Sequence, residues 1–381
     1  MVTAAFSSQT VKEASGRHPK LPGLSFQYGT AGFRTKWVSR PRFSRVLDSV
    51  MFRSGLLAAL RSRKLNGAFV GVMVTASHNP EEVSVPPSRL ACHDNGVKLV
   101  EPRGEMLQQS WEKHATLLAN AADEDALVAA LESVVKNEQI TGDAPSRVVY
   151  AMDTRPSGPA LVSALKDGIV AASGVESDYG IMTTPQLHYI TRCLNTQGTP
   201  EAYGEPSERG YYQKLANAFR DLVSGCERLP TIRVDCANGV GAPKLEELAK
   251  TIGEKYLSVK LQNSSIGVKG QLNYQCGADF VKVNVKLPRG LEDLRPGERA
   301  CALDGDADRI VYFYLDEGPL NSVEYYLVPR GSDYRLSAAS SPCSLDKAFR
   351  LLDGDKIAGL AAVFIADLVR AAQIPNVNVG V

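Results

Sequence analysis

Residues 69–80 read FVGVMVTASHNP. The first six are short, apolar and rich in β-branched side chains; the rest are small and polar up to an Asn-Pro stop. That order predicts a buried strand over Phe69–Val74 that delivers a loop from its C-terminal end. Ligand crevices in open α/β sheets lie beyond the C-terminal ends of strands. Ser77 and His78 therefore stand where a cleft would open. A free serine hydroxyl is a weak nucleophile and needs activation or prior phosphorylation. His78 beside it can hydrogen-bond a phosphate or move a proton. The competing reading is a plain polar turn.

Other strands have the same character: Arg147–Met152, Thr231–Asp235, Ala300–Leu303 and Ile310–Leu315. Helical periodicity appears around Val46–Leu60, Leu127–Val135, Leu161–Val170, Leu245–Ile252 and Ile357–Ala371. Alternating strands and helices predict an α/β fold of layered α/β/α units, mixed sheets flanked by helices.

A second loop, Asp304-Gly305-Asp306-Ala307-Asp308-Arg309, lies between two of these strands. Carboxylates at alternate positions can converge on one hard cation, and oxygen-only ligation suits Mg²⁺. An EF-hand is excluded, because the sixth position is not Gly and the twelfth is Leu315. Arg309 can hold a phosphate oxygen. Together the loops point to phosphoryl transfer. A hydrolase triad fits worse, for there is no GxSxG. Asn238-Gly239-Val240-Gly241 looks like half of a dinucleotide loop but lacks the third glycine, so it reads as close backbone packing. Ser157, in Asp153-Thr154-Arg155-Pro156-Ser157-Gly158, is placed to cap the next helix.

The 381 residues carry 43 Lys+Arg against 42 Asp+Glu, a net charge of +1, which argues against a dedicated nucleic-acid binder. No apolar run approaches the ~20 residues of a membrane span, and no secretion signal is legible. Seven scattered cysteines without a CxxC pair fit free thiols in a reducing cytoplasm. Residues 17–64 hold eleven Lys/Arg and one acid, Asp48, read either as a field attracting an anionic substrate or as a solvated basic face.

TASHNP (75–80), DNGVKL (94–99), DTRPSG (153–158) and DGDADR (304–309), in that order, resemble the α-D-phosphohexomutases. YGTAGFR (28–34), VDCANGVGAPKL (234–245) and FRLLDGDKIA (349–358) look most like the branch acting on N-acetylglucosamine phosphate. The resemblance implies interconversion of the 6-phosphate and 1-phosphate of N-acetylglucosamine, in UDP-N-acetylglucosamine biosynthesis, through a phosphoserine and a bisphosphate. It implies that Ser77 carries the phosphoryl group and that Asp304, Asp306, Asp308 and the Ser77 phosphate hold Mg²⁺. Lys98 matches the acid/base of the family; Arg34, His78 and Arg309 match its phosphate-handling residues. A phosphosugar is the implied partner, with no nucleic acid or membrane, in a monomer. Glucose or mannose phosphate specificity is the alternative, as is an inactive remnant that binds metal or phosphosugar.

The resemblance divides the chain into an N-terminal extension (1–24), a first domain (25–200), a second (201–316) and a fragment of a third (349–381), with the fourth domain of the family absent. Two interruptions depart from the pattern: 83–93 (VSVPPSRLACH), and an irregular stretch at 317–348. Each separates segments that would otherwise join, so both read as translated non-coding sequence, and the end at Val381 as a premature stop.

Overall fold

The computed structural model describes residues 5–29, 32–35, 46–79, 82–84, 91–93, 95–226, 229–316, 324–330, 333–339, 349–375 and 377. The chain opens with helix α1 (Ser8–Ser15), the antiparallel pair β1 (Phe26–Gly29) and β2 (Gly32–Thr35), and helix α2 (Val46–Lys64). Strand β3 (Phe69–Val74) follows, then β4 (Glu82–Ser84), β5 (Ala91–His93) and β6 (Val97–Val100). Helices α3 (Gln109–Asn120) and α4 (Glu124–Asn137) lead to β7 (Arg147–Met152), α5 (Gly158–Ala171), β8 (Val175–Ile181) and α6 (Thr184–Thr196). The remainder comprises α7 (Glu208–Leu222), β9 (Ile232–Asp235), α8 (Gly241–Ile252), β10 (Val259–Gln262), α9 (Ala278–Asn284), β11 (Arg299–Leu303) and β12 (Ile310–Leu315). Last come β13 (Glu324–Arg330), β14 (Asp333–Ala339), β15 (Phe349–Leu352) and α10 (Gly354–Ala371).

The first sheet runs β6-β3-β7-β8, with β3, β7 and β8 parallel and β6 antiparallel to β3. Val70, Val72 and Val74 of β3 face one apolar cluster, with Leu56, Leu57 and Leu165; Met73 faces another, with Leu187 and Ile190. Helices thus cover both faces, which is why β3 is apolar throughout instead of alternating. The second sheet runs β10-β9-β11-β12-β15, parallel over the first three strands and antiparallel beyond. Both sheets are mixed and flanked by helices, as the sequence predicts.

The N-terminal extension holds α1, capped by the Ser7 side chain and packed on α4 and α5 through the buried Val11 and Ala14. Two readings change. The interruption at 317–348, read as irregular, contains β13 and β14, which pair with each other; the described ends of the interruption at 83–93 pair likewise as β4 and β5. The basic stretch at 17–64 is only in part a solvated face: over its described part Arg17 is exposed and paired with Asp167, whereas three arginines of α2 turn inward. Arg53, Arg61 and Arg63 are buried. Arg61 forks onto Glu101, Arg63 donates to the Ala144, Ala172 and Ser173 carbonyls, and Arg53 donates to the Ala121 carbonyl. The guanidinium fork suits this carbonyl stapling. Lys36, Arg40, Arg42 and Arg45 lie outside the described residues. On α10, Leu360, Val363, Phe364 and Leu368 are all half exposed or more. Among the described residues no helix is long and apolar enough to cross a membrane.

Helices α2 and α5 approach closely enough that only glycine fits at their crossing. A Cβ on Gly168 would overlap the Phe52 carbonyl, and one on Gly55 the Leu165 carbonyl. Gly168→Ala is expected to destabilise the fold by ~1–3 kcal/mol through overpacking, although alanine is otherwise the better helix former. Urea unfolding followed by circular dichroism checks this; a stability equal to the parent's contradicts the packing argument.

His18 ties the N-terminal segment down. Its ring stacks on Phe52 at 5.1 Å, with Nδ1 2.7 Å from Asp48 and Nε2 3.0 Å from Asp167. The bond to Asp48 raises the imidazole above its ordinary 6.5 against the opposing effect of burial, and Asp167 adds to the rise. A group held up in the folded state contributes stability in full below its unfolded value and loses it as pH climbs through the higher folded value. Amide-exchange protection factors over residues 5–25 are therefore expected to fall as pH rises above 6.5, and His18→Gln should abolish that pH dependence.

Candidate active site

β3 ends at Val74 and its loop turns at once. Ser77 adopts φ +53°, a left-handed conformation that costs a non-glycine residue about 1–2 kcal/mol. The loop is held on several sides. The Ser77 N–H donates to Thr75 Oγ1 at 2.9 Å, and Thr75 Oγ1 donates to Asp153 at 2.7 Å. Buried Arg155, with Nε 3.1 Å from Asp153, sends Nη2 to the carbonyls of Ser77 and Asn79 at 3.3 and 2.7 Å. Asn273, from the loop before α9, donates Nδ2 to the same two carbonyls at 2.9 and 3.1 Å. Donors from both halves of the molecule thus converge on one short stretch of backbone.

That backbone presents Ser77 Oγ to the loop between β11 and β12. The hydroxyl donates to Asp304 Oδ2 at 2.7 Å and lies 3.3 Å from Asp308 Oδ1. The two sequence motifs, 227 residues apart, meet. Asp304 Oδ1 accepts the Asp308 and Arg309 N–H groups, each at 3.1 Å, which curls the loop around its own first carboxylate. Close packing of backbone permits this. A Cβ on Gly305 would stand 2.7 Å from the Ser77 carbonyl oxygen, and one on Gly239 would overlap the Gly305 carbonyl. The Asn238–Gly241 turn is therefore a steric accommodation, as its glycine count suggests.

One carboxylate oxygen from each of Asp304, Asp306 and Asp308 falls within 4.8 Å of the others. Burial raises Asp304 well above the usual carboxylate range, and its two neighbouring carboxylates push the same way. Burial opposes the charge on Asp306 too, but Lys98 and Thr184 hold it below that range. Lys98 Nζ lies 2.9 Å from Asp306 and 2.5 Å from Asp308. Burial works against the ammonium, yet these carboxylates keep it raised, so the charged form is favoured. Asp306 Oδ1 is buried with no hydrogen-bond partner. An unsatisfied buried carboxylate oxygen is costly, and an all-carboxylate donor set with one free oxygen fits a hard divalent cation.

Of the other expected site residues, His78 is partly buried in the serine loop. Arg309 has Nε 3.9 Å from both Asp304 and Asp308, and with 42% of its side chain exposed it faces the opening. Arg34 lies on β2, its backbone paired with Gln27, and its side chain is outside the described part. Ser157 does not cap α5; its hydroxyl accepts from Asn95 Nδ2 at 2.9 Å.

Residues that sequence reasoning missed complete the arrangement. Thr184, at the start of α6, donates Oγ1 to Asp306 at 2.6 Å and its N–H to the Asp306 carbonyl at 3.1 Å. Arg155 sat in a quoted motif without a role. Asn273 carries no local signal at all.

Asp306→Asn is expected to weaken Mg²⁺ binding about a hundredfold, the scale of losing one buried charged partner. Ser77→Ala should leave Mg²⁺ affinity within a few-fold of the parent. Calorimetric titration of both variants checks this, and unchanged affinity in Asp306→Asn rejects the metal assignment.

The chain has counterparts among known proteins. A family profile described as "Phosphoacetylglucosamine mutase AMG1, domain II" matches residues 203–311, and one described as "Phosphoglucomutase/phosphomannomutase, alpha/beta/alpha domain I" matches residues 119–199. The chain is 44% identical to the Homo sapiens phosphoacetylglucosamine mutase over 375 residues, covering 97% of this chain and 59% of the human protein. The crystal structure of Aspergillus fumigatus N-acetylphosphoglucosamine mutase in complex with GlcNAc-6P and magnesium superposes with a TM-score of 0.79 at 44% identity, over 97% of this chain and 59% of that one. An apo-form N-acetylglucosamine-phosphate mutase superposes with a TM-score of 0.77 at 39% identity, over 96% of this chain and 68% of its own. The serine loop and the aspartate loop that meet here are thus carried on a fold shared along nearly the whole chain, and the chain belongs to the phosphoacetylglucosamine mutase branch of the α-D-phosphohexomutase superfamily.

Proposed function

We propose that this chain carries the phosphoserine and metal half of the chemistry that interconverts N-acetylglucosamine 6-phosphate and N-acetylglucosamine 1-phosphate. The observation that carries this reading is the 2.7 Å contact between Ser77 Oγ and Asp304. A nucleophilic hydroxyl set against a cluster of carboxylates is unfavourable for acyl chemistry, where an oxyanion hole of donors is required. It suits a serine that bears a phosphoryl group whose charge is shared with a cation. Asp304, Asp306, Asp308 and a Ser77-borne phosphate would hold Mg²⁺, which supplies charge neutralisation when bound.

The chain's own residues do the rest. Ser77, phosphorylated, gives its phosphoryl group to a sugar hydroxyl; the P–Oγ bond breaks as the sugar O–P bond forms, the hydroxyl proton leaves to solvent, and a sugar bisphosphate results. After the sugar turns over, its other phosphoryl group returns to Ser77. Lys98, kept protonated by Asp306 and Asp308, can return a proton to the Ser77 oxygen as it leaves, and Arg309 faces the opening where a phosphate would arrive. The left-handed turn at Ser77, clamped by Arg155 and Asn273, fixes the oxygen before the reaction, which removes orientational entropy from the step. Arg34 and His78 belong to the same reading as phosphate-handling residues.

The relatives named above are longer, and the chain spans 59% of the human protein, so turnover is tested separately from phosphoryl transfer. On incubation with glucose 1,6-bisphosphate and Mg²⁺, intact-mass and peptide analysis is expected to find one phosphoryl group, on Ser77, absent from Ser77→Ala. Conversion of N-acetylglucosamine 6-phosphate, followed by ³¹P NMR, tests the complete reaction. A folded chain that binds Mg²⁺ yet takes no phosphoryl group on Ser77 overturns the reading.

A further inference from the structure

Away from Ser77, a cavity of about 420 Å³ lies between the loop 103–106, α6 and α7. Its wall includes Arg103, Arg192, Tyr203, Lys214 and, at the side nearest the metal loop, Asp308. The charges on this wall are unevenly matched. Arg103 is paired with Glu201 at 3.0 Å. Arg192 and Lys214 are not paired: among the described residues neither makes an ion pair. Both instead sit on one aromatic ring, with Arg192 Cζ 3.8 Å and Lys214 Nζ 4.0 Å from the Tyr203 centroid. Lys214 also donates to the Tyr203 carbonyl at 2.8 Å.

Each cation gains from the ring, and neither has a carboxylate within ion-pair distance among the described residues. The geometry also limits the entropy lost on binding. A guanidinium fixed on a ring face and an ammonium fixed by a carbonyl are already ordered, so a ligand need not immobilise two long side chains. A guanidinium fork and a compact ammonium lining one cavity suit a phosphate better than a carboxylate, because a phosphate offers three oxygens to receive both donors. The tyrosine-rich wall (Tyr189, Tyr203 and Tyr211) offers a surface to the ligand's body. The volume is in the range of ordinary small-molecule sites.

We infer that this cavity is a second anion site, which binds a small phosphate monoester through Arg192 and Lys214. It is separate from the Ser77 site and does not rest on the mutase reading. It shares a wall with that site only through Thr184 and Asp308.

The full chain is titrated with inorganic phosphate and then with N-acetylglucosamine 6-phosphate, without Mg²⁺, by calorimetry. The double variant Arg192→Ala, Lys214→Ala is expected to weaken binding about tenfold or more, as charge-assisted hydrogen bonds are lost. Lys250→Ala, which removes an exposed cation on α8, should leave binding unchanged. Unaltered affinity in the double variant overturns the inference. A measurement on the unaltered protein guards against a misfolded variant. Phosphate should slow acetylation of Lys214 relative to Lys250, an exposed reference lysine on α8. Equal rates with and without phosphate would reject the site.

Discussion

The contact between Ser77 Oγ and Asp304 joins two loops that leave the C-terminal ends of strands in two different sheets. Neither loop could hold its shape alone. The serine loop needs an unfavourable left-handed residue, and the aspartate loop brings three carboxylates into a partly buried space. Each strain is relieved by the other half of the molecule. Asn273 from the second half grips the serine backbone, while Lys98 and Thr184 from the first half neutralise and hold Asp306. The site is therefore an interface as much as a pair of motifs, and its stability is inseparable from the docking of the two sheets.

Electrostatics sets the balance within that interface. Coulomb repulsion between carboxylates this close is strong once water is removed, and the protein meets it in two ways. Asp304 is pushed toward its neutral form by burial and by its neighbours, whereas Asp306 stays charged through Lys98. A cation entering the cluster would compete with the Lys98 ammonium for Asp306 and Asp308. In the proposed reaction the lysine would thereby be coupled to a bound cation.

The parts of this arrangement that could be read from sequence share a physical property: their neighbours in space are also neighbours in sequence, or their burial is uniform. β3, β7 and β12 have the boundaries expected for them because an apolar β-branched run between turn residues has few other solutions. β8 (VESDYGI) escaped notice because charged side chains break its pattern, and its edge position in the sheet leaves them exposed. The buried arginines of α2 were unreadable for a similar reason: a guanidinium looks like a surface group until the carbonyls that receive it are known, and those of Ala144 and Ala172 lie 81 and 109 residues from Arg63. The aspartate and serine loops were legible because their chemistry is compressed into six residues each. Asn273 and Thr184, whose roles come wholly from the other half of the chain, had nothing local to show.

Glycine makes the two-sheet interface possible. The turn Asn238–Gly241 carries no chemistry of its own, yet a methyl group at Gly239 would overlap the Gly305 carbonyl, and one at Gly305 would press on the Ser77 carbonyl. A chain of backbone contacts therefore runs from the end of β9 through the aspartate loop to the serine loop, with no side chain between. Backbone-to-backbone packing of this kind is stiff, since it has no rotamers with which to absorb error. In the proposed reaction, an oxygen that meets a phosphoryl group within a fraction of an ångström is better fixed by such contacts than by long side chains. The steric emptiness of two glycines thus contributes to the placement of Ser77 as directly as the arginine and asparagine that hold its carbonyl.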